Sequence, residues 1–404
     1  MPFQVALSGL RAAQTDLEVL GNNIANVNTT GFKQSRAEFA DVYSITNVGG
    51  AGNNPGRGVN TTRIAQQFTQ GSINFTDNGL DLAISGEGFF IVEDDGARLF
   101  SRDGSFGLDR EGFIVNAKNQ QLIGFQTDAN NAITGASAPL QITRANSDPS
   151  ATDNLQVGVN LDSQSAVPAS APFDPLDATS YNNATAATVY DSLGGEHLLQ
   201  VYFVKGAGAN AWSVNTVVNG TQVGGPDALT FDTTGNLATP AGGVVTIPAF
   251  VPAAGTDPLN LTIDYSQTTQ FGAPFGVNRL VQNGFTTGRL SGVDIDDEGV
   301  VFARYTNGQS EVQGQVALAS FQNPQGLQPL GDNNWAQTLA AGEELTGAPG
   351  SSSLGLVQAG ALEDSNVDLS EQLVELIIAQ RNFQANTEVI STADSITQAV
   401  INIR

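Results

Sequence analysis

PFQVALSGLRAAQTDLEVLGNNIANV, residues 2–27, repeats apolar or small side chains at alternating intervals of three and four. A repeat of this kind lays one narrow apolar stripe along an α-helix and is typical of a coiled-coil seam. Pro2 suits a first helical turn, and Gly31 suits the position just past a helix end. The stripe comprises Phe3, Ala6, Leu10, Ala13, Leu17, Leu20, Ile24 and Val27. The sequence therefore predicts an N-terminal helix with a coiled-coil face.

A second helix is predicted at the other end of the chain. It should begin near Asp368, whose carboxylate can cap it, with Glu371 three residues later as in a capping box. Its apolar stripe includes Leu369, Leu373, Leu376, Phe383, Ile390, Ala393, Ile396, Val400 and Ile403. The two stripes could pack on the protein's own core. Because the section between them is patterned to close its own β core, we instead expect the helices to pair with each other and to gain stability from neighbouring copies.

The middle of the chain is predicted to be mostly β, because glycine and proline break short alternating apolar segments. A polar connector containing GGAGNNPGRG, residues 49–58, favours turns or irregular extended chain. Beyond Ser147 the composition shifts to Ala, Thr, Asp and Pro, which indicates an inserted domain. The predicted divisions are a terminal coiled-coil domain (1–31 and 366–404), an extended connector (32–71), a discontinuous inner β domain (72–146 and 275–365) and an inserted outer β domain (147–274).

Two hairpins can be predicted within these β sections. In the inserted section, the turn SLGG separates ATVYD from EHLLQVYFV, residues 187–204 overall. After Phe271, VDIDDEGVVFARY, residues 293–305, is expected to form strand, turn and strand. The chain would then leave the inner β domain, build the outer one, and return.

Composition excludes several classes of protein. There are 40 acidic and 16 basic residues, and the resulting net charge of −24 repels the phosphate backbone of nucleic acids. The absence of cysteine excludes disulfides, thiolate metal sites and a cysteine nucleophile. The N-terminus lacks a basic region followed by a continuous apolar run, and no apolar run of about 18 residues occurs. We therefore expect no nucleic-acid partner, no membrane insertion and no cleaved secretory signal.

No constellation of residues indicates an enzyme, a cofactor site or a metal site. His197 has no serine or cysteine nucleophile motif beside it and is expected to be a partly exposed strand residue. Adjacent aspartates such as Asp94 and Asp95 are typical of solvated turns. Asp294 and its neighbours match the start of a calcium loop, but the twelfth position is Tyr305, where a glutamate is needed. GGAGNNPGRG lacks the Gly-Lys-Ser/Thr ending of a phosphate loop.

Four segments carry a resemblance to the rod-and-hook axial proteins of the bacterial flagellum. LGNNIANVNTTGFKQSRAEF, residues 20–39, resembles the signature of that family, and GLDLAISGEGFFIV and RDGSFGLDREGFIVN resemble its inner β domain. GALEDSNVDLSEQLVELI, residues 360–377, resembles its C-terminal half. The signature residues are Asn22, Asn23, Ile24, Ala25, Asn26, Gly31 and Phe32. The resemblance covers about residues 1–145 and 275–404, and an insertion of this size is typical of the hook branch of the family.

The resemblance implies a structural subunit, exported without a cleaved signal by the flagellar type III apparatus and assembled at the tip of the growing structure. It implies a helical homopolymer, a flexible curved tube that acts as a universal joint between rod and filament and lies outside the cell. The partners implied are the distal rod protein, the hook–filament junction protein and the hook cap. The subunit contacts are then expected at Leu10, Leu17, Leu20, Ile24, Leu373, Leu376, Phe383 and Ile390.

Three other functions remain open from the residues alone. A distal rod protein would form a straight shaft, but the inserted domain disfavours it. A secreted acidic enzyme such as a glycosidase would need two carboxylates converging in one pocket. An adhesin would bind through residues 150–270, and their deletion would abolish binding while leaving polymers intact.

Overall fold

The computed structural model describes residues 2–42, 56–128 and 131–402. The chain is mostly β, with two long helices, α1 (Pro2–Ala25) and α2 (Leu369–Asn402), that pack against each other. This confirms the fold class expected from the sequence. The chain divides into two compact units: the first contains residues 1–144, 292–304 and 310–404, and the second contains residues 145–291 and 305–309.

The strands are short and follow one another closely. After α1 come β1 (Ser35–Asp41), β2 (Val59–Gln66), β3 (Ile73–Phe75), β4 (Leu82–Ser85), β5 (Phe89–Asp94), β6 (Ala97–Ser101), β7 (Gly107–Leu108), β8 (Ile114–Val115), β9 (Gln121–Thr127) and β10 (Ile133–Pro139). Next are β11 (Asn154–Asp162), β12 (Asn183–Tyr190), β13 (Glu196–Lys205), β14 (Ala211–Val218), β15 (Thr221–Phe231), β16 (Leu237–Thr239), β17 (Val244–Thr246), β18 (Thr262–Asp264), β19 (Thr269–Phe271) and β20 (Gly276–Gln282). Before α2 lie β21 (Leu290–Ile295), β22 (Val300–Tyr305), β23 (Ser310–Val316), β24 (Leu318–Ser320), β25 (Gln328–Gly331), β26 (Asn334–Ala336), β27 (Leu345–Gly347), β28 (Leu356–Ala359) and β29 (Ala361–Glu363).

Strands from both ends of the chain share the sheets of the first unit. β23 pairs with β9, β24 with β5 and β26 with β6, all antiparallel. β28 pairs with β4 and β29 with β3 in the same sense. Four aromatic rings fill the core beneath them, and the Phe100 and Phe321 rings meet edge to face at 4.7 Å. Phe89 and Trp335 pack similarly at 5.7 Å.

The segment predicted as an irregular connector instead contains a β-hairpin. β1 and β2 pair antiparallel from Ser35 opposite Gln66 to Asp41 opposite Val59, with a bulge at Glu38 and Phe39. Pairing satisfies the backbone donors and acceptors of these polar strands, which an irregular chain would leave to water. Most of the string GGAGNNPGRG lies outside the described residues.

The second unit has two sheets that enclose one core. β12 to β16 form one sheet in chain order, and β11 carries β18, β19 and β20 in the other. Side chains from both sheets form the core, among them Val157, Phe203, Val214 and Tyr265. The hairpin predicted on either side of SLGG is confirmed, since β12 pairs antiparallel with β13 up to Tyr190 opposite Glu196.

The chain enters and leaves the second unit side by side. The Ser147 amide donates to the Gly288 carbonyl at 2.9 Å, and Ser150 does the same to Phe285 at 3.0 Å. The unit therefore extends beyond the predicted boundary at residue 274. It does so because β20 pairs antiparallel with β11 along its length, a pairing that local sequence pattern does not reveal.

His197 is buried, and the expectation of partial exposure was wrong. Asn219 donates from Nδ2 to His197 Nδ1 at 2.8 Å, since its Oδ1 accepts from the Leu198 amide. The imidazole therefore carries its proton on Nε2 and donates to Asp191 at 2.8 Å. Burial acts to raise the pKa of the Asp191 carboxyl, but hydrogen bonds from His197 and from the Gly195 and Leu193 amides outweigh it and hold the pKa below its ordinary value. This histidine is a satisfied structural residue of the second unit.

Candidate subunit interface

The two terminal helices form an antiparallel pair. Asn23 near the end of α1 bonds Gln372 near the start of α2, while Gly9 lies against Asn386, farther along α2. A cap fixes the start of α2, since the Asp368 carboxylate accepts from the amides of Ser370 and Glu371 at 2.8 and 3.2 Å. On α2 the buried and half-buried positions recur every four and three residues: Gln372, Leu376, Ala379, Phe383, Asn386, Ile390 and Ala393. This is a heptad seam of the coiled-coil type.

The structure separates the predicted contact residues into two groups. Leu20 is buried in the helix pair, and Leu10, Leu17, Ile24, Leu376, Phe383 and Ile390 are half-buried. Leu373 is 45% exposed and stands outside the seam. The structure thus brings Leu376, Phe383 and Ile390 into contact positions within one chain.

Three of these seven seam residues, Gln372, Ala379 and Asn386, lie outside the apolar stripe predicted from the sequence. Gln372 is buried and bonded to Asn23 at 2.9 Å, and Ala379 is 1% exposed. A side chain on Gly9 would come within 2.5 Å of Asn386 Oδ1, so the glycine lets the helices approach closely there. Small and polar residues at one heptad position therefore make the seam close and specific rather than purely apolar.

A second apolar stripe runs along the outer side of α2. Val374, Ile378, Val389 and Ile396 are 58%, 52%, 46% and 60% exposed. Their spacing continues the heptad period on a different face of the helix from the seam. These four side chains leave apolar surface exposed on a face of α2 away from the seam.

Asn23 joins three elements at the end of α1. Its Nδ2 donates to the Ser35 carbonyl at 2.8 Å and to Gln372 at 2.9 Å, and its Oδ1 accepts from the Ser35 amide at 2.9 Å. The side chain is 1% exposed. One amide thereby fixes α1 to both α2 and β1. The hairpin is also tied to the start of α1, because the Val59 amide donates to Ser8 Oγ at 3.2 Å.

The other signature residues lie where the chain leaves α1. Asn26 donates from Nδ2 to the Asn22 carbonyl at 2.9 Å, and Thr29 donates to Asn26 Oδ1 at 3.1 Å. Ala25 is the last helical residue and is exposed, whereas Ile24 and Phe32 are half-buried. The Asn26 side chain thus adds a second hydrogen bond to the Asn22 carbonyl, beside that of the Asn26 amide, and joins the last turn of α1 to Thr29.

Gly31 lies where the chain meets the β part of the first unit. Its φ is +67°, and a Cβ there would come within 2.5 Å of the Arg102 carbonyl carbon and the Asp103 amide nitrogen. Its own amide donates to the Glu363 carbonyl at 2.7 Å. Conformation and space both require glycine at this position.

Two further residues, which the sequence pattern does not reveal, fix this junction. Asn366 accepts from the Gln34 amide at 2.8 Å and donates to the Gln67 carbonyl at 2.8 Å. Glu363 is buried with Lys33. Their position in strings that resemble the family signature was the available signal, but their partners lie hundreds of residues away in the sequence.

The described residues, 2–42, 56–128 and 131–402, contain no group of three or more histidine, aspartate or glutamate side chains arranged to hold a metal ion. In the suspected calcium loop, Asp294 forms an ion pair with Arg304, and Asp296 accepts from the Val300 amide at 2.7 Å. Within the same described ranges, neither helix is long and apolar enough to cross a membrane.

Four family models match successive parts of the chain, with gaps between some of them. They describe a flagella basal body rod protein (residues 3–33), the FlgE/F/G D1 domain of flagellar hook protein (83–160), the FlaE D2 domain of flagellar basal body protein (160–285) and the flagellar basal body rod FlgEFG protein C-terminal region (358–403). Helices at both ends of the sequence and a β unit inserted into the sequence of another, together with these matches, define the class of flagellar rod and hook proteins.

Relatives that match over their full length show to which branch of this class the chain belongs. The chain is 40% identical to the flagellar hook protein FlgE of Salmonella typhimurium and 38% identical to that of Escherichia coli K12, covering 100% of both chains in each case. It belongs to the flagellar hook protein family, whose members are structural proteins of the bacterial flagellum. A crystal structure of Helicobacter pylori flagellar hook protein FlgE2 shares the fold, with a TM-score of 0.52 at 14% identity over 72% of this chain and 100% of that one. The resemblance stated from the signature residues is thereby confirmed.

Proposed function

We propose that this protein polymerises helically into the flagellar hook, a curved flexible tube that joins rod to filament and transmits motor torque. The observation that carries the proposal is the outer stripe of α2. The seam of α2 is occupied by α1, whereas the outer stripe is half exposed along the same helix. A helix with two apolar faces of heptad period can hold a partner on each.

The partner for the outer stripe is α1 of a neighbouring copy. Phe3 is 51% exposed, and Leu10 and Leu17 are half-buried, so α1 also keeps apolar surface beyond its contact with α2. The two surfaces lie on different helices, so the contact is head-to-tail rather than self-complementary. A head-to-tail contact that does not close a ring generates a helical filament.

This proposal revises the expected subunit contacts. On α1, Leu10 and Leu17 are kept as subunit contacts, because each is only half-buried within one chain and its exposed part can contact a neighbouring copy. On α2 the contacts are assigned to Val374, Ile378, Val389 and Ile396, whereas Leu373 lies on neither this stripe nor the seam. Leu376, Phe383 and Ile390 act instead through the seam, by holding α1 and α2 in the pair that is presented to the next copy.

Flexibility follows if the helices hold the tube together while the outer surfaces slide. The chain carries a net charge of −24, so copies brought side by side repel each other wherever they are not held by apolar contacts. Cross-links engineered between second units of neighbouring copies should therefore stiffen or straighten the tube. Unchanged bending would contradict this part of the mechanism.

Export and placement complete the proposal. The subunit leaves the cell through the flagellar type III apparatus and the central channel, adds at the tip under the hook cap, and comes to lie outside the cell between the distal rod protein and the junction protein. The alternative, a distal rod protein, would build a straight shaft. The second unit favours the hook.

The test compares two variants of α2 that add the same charge. Ile378→Glu places a carboxylate on the outer stripe. Gln380→Glu is the matched control and places a carboxylate two residues later, about 200° away round the helix. Both positions are exposed, so both variants should fold like the native chain. We expect electron microscopy to show tubes for the native protein and for Gln380→Glu, and none for Ile378→Glu.

The outcomes separate the parts of the proposal. Tubes from Ile378→Glu equal to native ones would remove the outer stripe as the interface. No tubes from the native chain, under conditions that polymerise hook proteins, would count against the function itself. Straight tubes would favour the rod. A chain lacking residues 1–30 and 370–404 should stay monomeric with its β units folded.

A further inference from the structure

Three charged side chains meet in the interior of the first unit. Lys33 Nζ lies 2.6 Å from Glu363 Oε1, and Arg102 lies 3.0 Å from Glu363 Oε2. The exposed fractions of these side chains are 0% for Lys33 and Glu363 and 5% for Arg102. One buried carboxylate therefore holds two cations, one on each oxygen.

Hydrogen bonds supply most of what the three groups need. Lys33 Nζ also donates to the Thr69 carbonyl at 2.8 Å, and Arg102 donates to the Gly86 carbonyl at 2.8 Å. Glu363 Oε1 accepts from the Gly71 amide at 2.8 Å. Burial lowers the pKa of Lys33, although the adjacent Glu363 carboxylate opposes this. Ions withdrawn from water in this way are stable only while paired.

The three residues come from two structurally different parts of the first unit. Glu363 ends β29, and Arg102 follows β6, so both belong to the β part of the unit. Lys33 lies between α1 and β1, in the segment that carries the N-terminal helix and its hairpin. The Lys33 pair therefore crosses from the helices to the β part, whereas the Arg102 pair stays within the β part.

We propose that Glu363 is a latch that fixes the terminal helices to the β part of the subunit through Lys33. When the latch is closed, residues 31–34 lie on the β part, with the Gly31 amide on the Glu363 carbonyl and the Gln34 amide on Asn366. When it is open, Glu363 keeps Arg102 as its counter-ion, so the β part can stand without the helices. The latch thus sets the helices at one angle, or releases them, without unfolding the β part.

Because only the Lys33 pair joins the helical segment to the β part, replacing Lys33 and replacing Arg102 should have different effects. Lys33→Met removes the cation of the helical segment and leaves Glu363 paired with Arg102. Arg102→Met is the matched control, because it removes the other cation from the same carboxylate and leaves the latch closed. Hydrogen exchange is measured on the full-length chain, free or in sedimented tubes, whichever form protects the native helices.

For Lys33→Met we expect exchange in residues 2–34 to rise at least tenfold, while strands β5, β6 and β9 change by less than about twofold. For Arg102→Met we expect the reverse: the β strands lose protection first, and the helices stay tied to them. Glu363→Gln leaves two buried cations facing each other and should raise exchange in both regions.

Equal effects of Lys33→Met and Arg102→Met on both regions would overturn the latch, because the cluster would then be a common core element. Unchanged protection of residues 2–34 in Lys33→Met would overturn it as well. The proposed hook function is judged by whether the native chain forms tubes, and the latch by the protection of residues 2–34 relative to the native chain in the same form. Failure of the one is therefore distinguishable from failure of the other.

Discussion

Replacing Asn23 by alanine should weaken the attachment of α1 to α2 and to β1. The substitution removes three hydrogen bonds of 2.8–2.9 Å and leaves the Ser35 amide and carbonyl and the Gln372 side chain without those partners. A buried polar group left unpaired costs about 1–3 kcal/mol. Ser35 is only half-buried and can recruit water, so we expect a total of about 2–4 kcal/mol rather than the full sum.

Asn22→Ala supplies the matched control. Asn22 is exposed, and its side-chain oxygen accepts a single long bond of 3.4 Å from Asn26. Its loss should change stability by no more than about 0.5 kcal/mol. Both variants are followed by denaturant unfolding with far-ultraviolet circular dichroism and by hydrogen exchange in α1. If Asn23→Ala proves no more harmful than Asn22→Ala, the joining role assigned to Asn23 is refuted.

Two further predictions concern backbone conformation and pH. Gly31→Ala should destabilise the first unit by more than about 1–2 kcal/mol, since a left-handed conformation costs that much before its collision with the neighbouring backbone is counted. Gly21 lies inside α1, and no atom lies within 4 Å of a carbon added there, so Gly21→Ala should stabilise the first unit by about 0.5–1 kcal/mol. Thermal unfolding should therefore show changes of opposite sign in the melting temperatures of the two variants. The pKa of Asp191 is depressed in the fold, so its stabilising effect is present above its unfolded pKa of about 3.9 and is lost as pH falls through the folded value. Hydrogen exchange in β13 should therefore accelerate below about pH 4 in the native chain. Asp191→Asn should flatten that pH dependence while weakening the His197 contact at neutral pH. A native exchange profile that stays flat through this range would contradict the stabilising role assigned to Asp191.

The helices were predictable because their apolar period is local. The apolar stripe that contains Leu376, Phe383 and Ile390 marks one half of the α2 seam in the amino-acid sequence. The other half was hidden, because Gln372 and Asn386 are polar and act by hydrogen bonding and close approach. A pattern that counts apolar residues also cannot separate a face covered by α1 from one left open, and so the outer stripe went unnoticed.

Charged residues were the least predictable part of the site. Lys33 and Glu363 would ordinarily be assigned to the surface, since such residues are rarely buried unless paired. Their pairing depends on strands that meet only after the chain has built the second unit and returned. The end of that unit was missed for the same reason, because β20 is defined by its long-range pairing with β11.

The adjoining chain segments at Ser147 and Gly288 make the second unit resemble an exchangeable insert, or cassette. Because the chain goes in and comes out at neighbouring positions, the loop formed by the rest of the cassette can lengthen, shrink or be exchanged while its two ends stay the same distance apart. A foreign domain whose termini are equally close could be spliced between them. Variation in the size of the second unit would then need no change in the terminal helices.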